Sequence, residues 1–163
     1  LEWLFLLAQF HFFLIQHDTA FEKSIQSKLG VHSVIHQPQP YNKYMHDLSK
    51  CDLSLGTFPF GGSNTNIDLA ILGIPKLVYT EGSDLASYTD IATLERLGLP
   101  DILFSSSEAE LLTNAIYLIH DSVERERISE LLKSVDLDAV FFKEKEDHQD
   151  HMLIDAINTF VEK

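Results

Sequence analysis

Short apolar runs alternate with amphipathic segments along the chain, and each run has the length of a buried strand. The run at residues 10–15 is continuous and holds three phenylalanines, which favours a strand buried on both faces. The predicted strands are residues 10–15, 31–35, 52–55, 76–80 and 102–104. Strands that alternate with helices form βαβ units, so we expect the first four strands to lie side by side in a parallel sheet.

The segments between these runs carry helical periodicity and end signals. Asp18 precedes the first helix as a capping residue, Gly30 and Gly73 follow helices as stop signals, and Ser107 begins a capping box with Glu110. The predicted helices are residues 20–28, 41–49, 66–72, 84–97, 107–120, 122–135 and 150–161, with a polar irregular stretch at 139–149. The pattern predicts an α/β fold, a Rossmann-like parallel sheet flanked by helices, in a single domain over residues 1–163.

Composition narrows the classes of partner. The chain has 163 residues, 45% of them hydrophobic, and a formal net charge of −13. Such an acidic chain repels phosphate backbones, which argues against binding to nucleic acid or to an anionic membrane. Cys51 is the single cysteine, so no internal disulfide is expected, and a reducing, cytoplasmic compartment is favoured. We expect its thiol to be buried and structural.

The apolar N-terminal run raises the question of a membrane segment. Glu2, Gln9 and His11 interrupt residues 1–15, and the run is too short to cross a bilayer. It lacks the basic start and the cleavage site of a signal peptide. We therefore expect the end of a buried helix followed by a strand, without membrane insertion. The chain has no initiating Met, which indicates a piece of a longer protein.

Residues 58–68 form a glycine-rich turn between a predicted strand and a predicted helix. Gly61 and Gly62 lack a Cβ, so the backbone can approach a ligand closely there. The next three residues, 63–65, are good N-cap residues beside the free amides of the first helical turn, where the helix dipole favours a phosphate. Asp68 follows one helical turn later and is suited to accept a ribose hydroxyl. The alternative is an ordinary capped helix without a ligand.

Other polar residues are predicted at the same edge of the sheet. The turn at residues 38–41 and the loop at Gly82 and Ser83 also follow strands, so they should converge with residues 58–68. Asp84 and Asp90 could face that loop, although Asp84 is better explained as a helix N-cap. His148 and His151 have metal-ligand spacing in a very polar segment, which favours a solvated surface over a metal site.

One family resemblance rests on two motifs. The run Phe58-Pro59-Phe60-Gly61, with Asn64 and Asp68 after it, is followed by Arg96-Leu97-Gly98-Leu99-Pro100. This pair resembles the C-terminal, donor-binding domain of the bacterial cytoplasmic N-glycosyltransferases that modify adhesins, which are related to the O-linked N-acetylglucosamine transferases. The resemblance runs from about residue 36 to residue 120. It implies the C-terminal half of a GT-B fold and a UDP-hexose donor, with neither a metal nor another cofactor.

The resemblance also implies which residues contact the donor. They are Gly62, Ser63, Asn64 and Thr65 in the loop, Asp68 on the helix, and His36, Pro38 and Tyr41 in the turn that holds the uracil ring. Two segments depart from the family pattern. Residues 62–65 read Gly-Ser-Asn-Thr where the family tends to carry Asn-Thr-Asn-Gly, with Asn64 and Asp68 keeping their places, and Pro38 stands where the family carries a second histidine. The family's diphosphate-binding lysine and its N-terminal acceptor domain would lie upstream of Leu1.

The function implied by the resemblance is transfer of a hexose to protein side chains, Asn or Ser/Thr, with inversion at the anomeric carbon. The partners would be the nucleotide-sugar donor, an acceptor protein such as an adhesin, and the N-terminal domain of the same chain. We assign no catalytic residue or general base, and we expect this chain to be inactive by itself. Two alternatives stay open: a nucleotide-sugar epimerase on the same fold, and a non-catalytic module that binds or chaperones a protein.

Overall fold

A computed structural model describes residues 9–14, 16–57, 61–80 and 85–141. The strands in these ranges are β1 (Phe10–Phe13), β2 (Ser33–His36), β3 (Ser54–Leu55), β4 (Lys76–Tyr79) and β5 (Phe104–Ser105). The helices are α1 (Thr19–Leu29), α2 (Tyr41–Leu48), α3 (Ser63–Leu72), α4 (Leu85–Arg96), α5 (Glu108–His120), α6 (Ser122–Ser134) and α7 (Leu137–Phe141). Strands and helices alternate through β5, as the sequence predicts.

The described strands form two parallel sheets. In the first, β1 pairs with β2, with Phe13 opposite His36. In the second, β4 lies between β3 and β5, with Leu55 opposite Leu77 and Val78 opposite Phe104. The predicted parallel direction is therefore confirmed, but the ladders make two sheets where the sequence predicted one. β3 is only 2 residues long, which leaves little backbone for a second ladder on its free edge.

Local end signals explain several helix boundaries. The Asp18 side chain accepts a hydrogen bond from the Phe21 amide at 2.9 Å and caps α1, and Gly30 follows that helix with a φ of 53°. Gly73 ends α3 in the left-handed conformation, with a φ of 69°. Glycine adopts this conformation without steric cost. On α5, the Ser107 hydroxyl accepts from the Glu110 amide at 3.1 Å, as predicted.

Two predictions near the C-terminal side are wrong. Residues 101–103 form a 3₁₀ turn, because the Leu103 amide bonds the Pro100 carbonyl at 3.0 Å, so the strand starts two residues later than predicted, at Phe104. The stretch predicted as irregular begins inside α7, which is held by a bond from the Arg96 guanidinium to the Val140 carbonyl. The predictions for residues 1–8 and 142–163, including the last helix and His148 with His151, lie outside the described residues.

Helix α3 is packed between two hydrophobic clusters. Ala70 faces a large cluster that includes Leu77, Leu118 and Ile128, which joins the β3–β5 sheet to α4, α5 and α6. Leu69, only 2% exposed, faces a smaller cluster with Leu48, which joins α3 to α2 and β1. Burying a leucine side chain contributes roughly 1.5–3 kcal/mol. Both clusters therefore fix α3 in place, and with it the start of the helix.

Cys51 lies in the smaller cluster and is half-buried. Burial is the main cause that raises the pKa of its thiol, with the neighbouring carboxylates of Asp52 and Asp47 next. A thiol with a raised pKa carries little thiolate and is a poor nucleophile. The placement agrees with the predicted structural role.

Candidate functional site

Helix α3 begins at Ser63, three residues earlier than predicted. Its N-cap is Gly62, and no side chain provides the cap, so the prediction of residues 63–65 as N-caps is wrong. They form the first helical positions instead, because the Asn66 amide bonds the Gly62 carbonyl at 2.8 Å and closes the first turn there. The amides of Ser63, Asn64 and Thr65 therefore have no carbonyl acceptor within the helix. This end of α3 also carries the positive end of the helix dipole.

A buried polar network lies directly beneath this helix start. The Lys76 ammonium donates to Asn66 Oδ1 at 2.7 Å and pairs with Asp90 Oδ2 at 2.6 Å. The other carboxylate oxygen of Asp90 accepts from Asn66 Nδ2 at 2.8 Å and from the Gly62 amide at 2.9 Å. Asn66, Lys76 and Asp90 are each only 2–5% exposed. Asp90 thus faces the loop, as the sequence analysis suggested.

Lys76 and Asn66 were not among the residues predicted for this site. A signal was present for the lysine, since a charged residue inside the apolar run of residues 74–78 needs a buried partner. Burial lowers the pKa of the Lys76 ammonium, and the hydrogen bond and charge of Asp90 oppose that shift. The network places one cation and one anion beside the start of α3 and leaves no net charge.

Asp68 and Tyr41 are brought together, although 27 residues separate them. The Tyr41 hydroxyl donates to Asp68 Oδ1 at 2.6 Å, and that hydrogen bond is the main cause that raises the tyrosine pKa. Tyr44 lies beside the same carboxylate, and burial followed by the Asp68 charge raises its pKa to about 12. Asp68 is 9% exposed, whereas Tyr41 is 61% exposed. Asp68 is thus a mostly buried acceptor next to two protonated phenols.

His36 belongs to a different set of contacts. Its ring stacks on Phe13 with centroids 4.3 Å apart, and its Nε2 lies 2.9 Å from Nδ1 of His11. Its Nδ1 lies 3.5 Å from the carboxylate of Asp47. Burial is the largest cause that lowers the pKa of His36, and His11 adds to the shift. The ring is therefore held by β1 and α2, while Pro38 in the following turn is exposed.

Two of the three segments that were predicted to converge at one edge are in contact. The bond between Tyr41, which follows β2, and Asp68, which follows β3, joins them. A cavity of about 710 Å³ lies beside β4 and β5. Its lining includes Thr80, Tyr88, Glu95, Asp101, Phe104 and Glu110. It is lined by none of the residues predicted to contact the donor. Residues 58–60 and the loop at Gly82 and Ser83 lie outside the described residues.

The described ranges contain no group of three or more His, Cys, Asp or Glu side chains placed to hold a metal ion. No helix within these ranges is long and apolar enough to cross a bilayer.

Comparison with known proteins gives relatives in sequence and in fold. The chain is 33% identical over 120 residues to the UDP-glucose:protein N-beta-glucosyltransferases of Actinobacillus pleuropneumoniae serotype 5b (strain L20) and serotype 7 (strain AP76). The match covers 71% of this chain and 19% of each relative, so the chain spans about a fifth of their length. No protein-family model matches the chain.

A solved structure supports the fold. A mutant of the Thermobaculum terrenum O-GlcNAc transferase aligns with a TM-score of 0.71, over 83% of this chain and 27% of that protein. Its sequence identity of 22% supports a shared fold and nothing finer. The predicted resemblance is confirmed: over the matched residues the chain is homologous to the bacterial protein N-glycosyltransferases, and it shares the fold of the O-GlcNAc transferases.

Proposed function

We propose that this chain binds the UDP-hexose donor of a glycosyltransferase at the N-terminus of α3. The observation that carries the proposal is the first turn of α3 at Ser63, Asn64 and Thr65, whose amides have no acceptor within the helix. This turn follows Gly62 and lies in a fold related to protein glucosyltransferases. The amides of these three residues would hold the diphosphate, and the helix dipole would add to the attraction. This positive potential is local to the turn and can attract a phosphate although the chain as a whole is acidic.

Asp68 would accept a hydrogen bond from a ribose hydroxyl. One of its oxygens already accepts from Tyr41, but a carboxylate has about four lone-pair sites and can accept further donors. Asp68 lies three or four residues after Thr65 and Asn64, which puts it on the same helix face. His36, Pro38 and Tyr41 would border the uracil ring, with the exposed Tyr41 side chain available for contact.

In the whole protein, the same turn would assist the reaction itself. Negative charge develops on the leaving UDP as the sugar is transferred, and preorganised amides stabilise such charge without further reorganisation. We propose inverting transfer to Asn or Ser/Thr side chains of an acceptor protein such as an adhesin, in the cytoplasm and without a metal. The N-terminal domain and a lysine upstream of this chain would complete the site and would supply the acceptor side, including the base.

Replacing Asp68 by Ala tests the donor site. The change removes a charge-assisted hydrogen bond worth roughly 1.5–3 kcal/mol, so the Kd of UDP should rise about tenfold or more. Asn64→Ala should cost less, because the backbone amides remain. Calorimetry of UDP binding measures both, with Asp138→Ala as a matched control on the exposed surface of α7.

The outcome separates a donor site from a plain capped helix. Far-UV circular dichroism must first show that Asp68→Ala keeps the parent fold. If the folded variant then binds UDP as tightly as the parent, Asp68 has no role on the ribose and the donor proposal loses its main side-chain contact.

A further inference from the structure

The buried network connects three separate elements at one point. Asn66 lies on α3, Lys76 is the first residue of β4, and Asp90 lies on α4. Asn66 hydrogen-bonds both Lys76 and Asp90 through its side chain. Asp90 also accepts a hydrogen bond from the amide of Gly62, the residue before α3. The start of α3 is therefore tied to the sheet and to the next helix by side chains far from it in sequence.

We infer that Lys76, Asp90 and Asn66 position the first turn of α3 to receive a diphosphate, an inference that rests on the proposed donor function. Lys76 does not reach the ligand itself, because it is 5% exposed and its ammonium is engaged by Asp90 and Asn66. It acts through Asp90, whose carboxylate fixes the Gly62 amide. The position of Gly62 in turn sets the direction in which the amides of residues 63–65 point.

The packing around Gly62 leaves little freedom for that residue. A Cβ built on it would lie 3.2 Å from Thr65 Cβ and 4.0 Å from the Lys76 ammonium nitrogen. Contacts at 3.2 Å are tighter than most Cβ contacts in proteins, so the neighbouring Thr65 would have to give way. Gly62 is therefore held from one side by the Asp90 hydrogen bond and from the other by the turn that it begins.

The charges of the network matter as much as its geometry. Asp90 places a carboxylate beside the helix end that we propose binds an anion. Like charges repel strongly when they are poorly solvated, so this carboxylate would oppose a diphosphate if it stood alone. Lys76, with its nitrogen 2.6 Å from Asp90 Oδ2, neutralises it. The network thus supplies an acceptor for Gly62 without adding net negative charge to the site.

Removing the positive charge of the network should weaken UDP binding, whereas removing its negative charge should not. Lys76→Met leaves the carboxylate uncompensated, and it should weaken UDP binding about tenfold or more. Asp90→Asn keeps an acceptor for Gly62 and removes the negative charge, so UDP binding should not weaken. The double variant is neutral again and should recover most of the affinity that Lys76→Met loses.

Uridine distinguishes positioning of the phosphate site from a general loss of structure. It carries the base and ribose but no phosphate, so its affinity should change less than about twofold in all three variants. Calorimetry with UDP and with uridine on the 163-residue chain measures both ligands below each variant's unfolding temperature. A parallel loss of UDP and uridine binding in Lys76→Met, or no loss of UDP binding at all, would overturn the positioning role.

A second measurement keeps the inference separate from the donor proposal. If the parent chain binds no UDP, the proposed function fails, and hydrogen exchange of the Gly62 and Asn66 amides then decides on the network alone, because the first donates to Asp90 and the second to the Gly62 carbonyl. Lys76→Met should speed exchange at these two amides more than at the far end of α3. Equal exchange in parent and variant would overturn the inference in that case too.

Discussion

Replacing Lys76 by Met tests how strongly the buried network stabilises the fold. Met keeps most of the length of the side chain but removes the ammonium, so Asp90 loses its partner at 2.6 Å and Asn66 Oδ1 loses its donor at 2.7 Å. Removing one partner of a buried ion pair costs about 3–5 kcal/mol, because the other charge stays buried and unpaired. A domain of this kind has a total stability of about 5–15 kcal/mol, so the loss should be large.

The double variant Lys76→Met/Asp90→Leu removes both charges. It therefore shows how much of the loss in Lys76→Met comes from leaving the Asp90 carboxylate buried and unpaired. Burial is the main cause of the lowered pKa of Lys76, and Asp90 does not fully offset it. Apolar replacement of a buried pair is often neutral or stabilising, because it removes both charges from the interior. We expect the double variant to be more stable than Lys76→Met, although it also removes the acceptor of the Gly62 amide.

Urea unfolding followed by far-UV circular dichroism measures these differences, provided that the slopes of the transitions agree. Lys133→Met is the matched control, since Lys133 pairs with Glu130 at 3.0 Å but its side chain is 46% exposed. Exposed pairs of this kind contribute about 0–1 kcal/mol. If Lys76→Met lowers the free energy of unfolding no more than Lys133→Met does, the network does not stabilise the fold as a buried, coupled pair.

Two further predictions concern glycines and activity. Gly73→Ala and Gly98→Ala both place alanine at a positive φ, which costs about 1–2 kcal/mol. Gly73→Ala should cost more in urea unfolding, because its Cβ would lie 2.8 Å from Lys133 Cγ and 3.0 Å from Ser129 Oγ, whereas a Cβ on Gly98 meets no described atom within 4 Å; equal losses would contradict the packing argument. The chain alone should be inactive with UDP-hexoses and an Asn-containing peptide, and measurable sugar transfer would contradict the need for a partner domain.

Signals within a few residues predicted much of the fold. The cap at Asp18 and the stops at Gly30 and Gly73 depend on neighbours in sequence, and the structure has each of them. The predicted helix began at Asn66 because residues 63–65 are typical capping residues, whereas in the structure the Asn66 amide bonds the Gly62 carbonyl and makes them helical. The bond from the Gly62 amide to Asp90 spans 28 residues, and a contact of that range leaves no local pattern.

The candidate site was predictable to a similar extent. The rule that loops after parallel strands share one edge correctly brought Tyr41 and Asp68 together. The contact between His36 and His11 requires the β1–β2 register, in which Phe13 lies opposite His36, and no sequence pattern gives that register. The roles of the predicted donor residues stay predictions.

A crystal structure of this chain with UDP would show whether the diphosphate binds at the start of α3. We expect phosphate oxygens about 3 Å from the amides of Ser63, Asn64 and Thr65, with a ribose hydroxyl on Asp68. UDP bound instead in the cavity between α4 and α5, or with its phosphates away from the start of α3, would contradict the donor proposal.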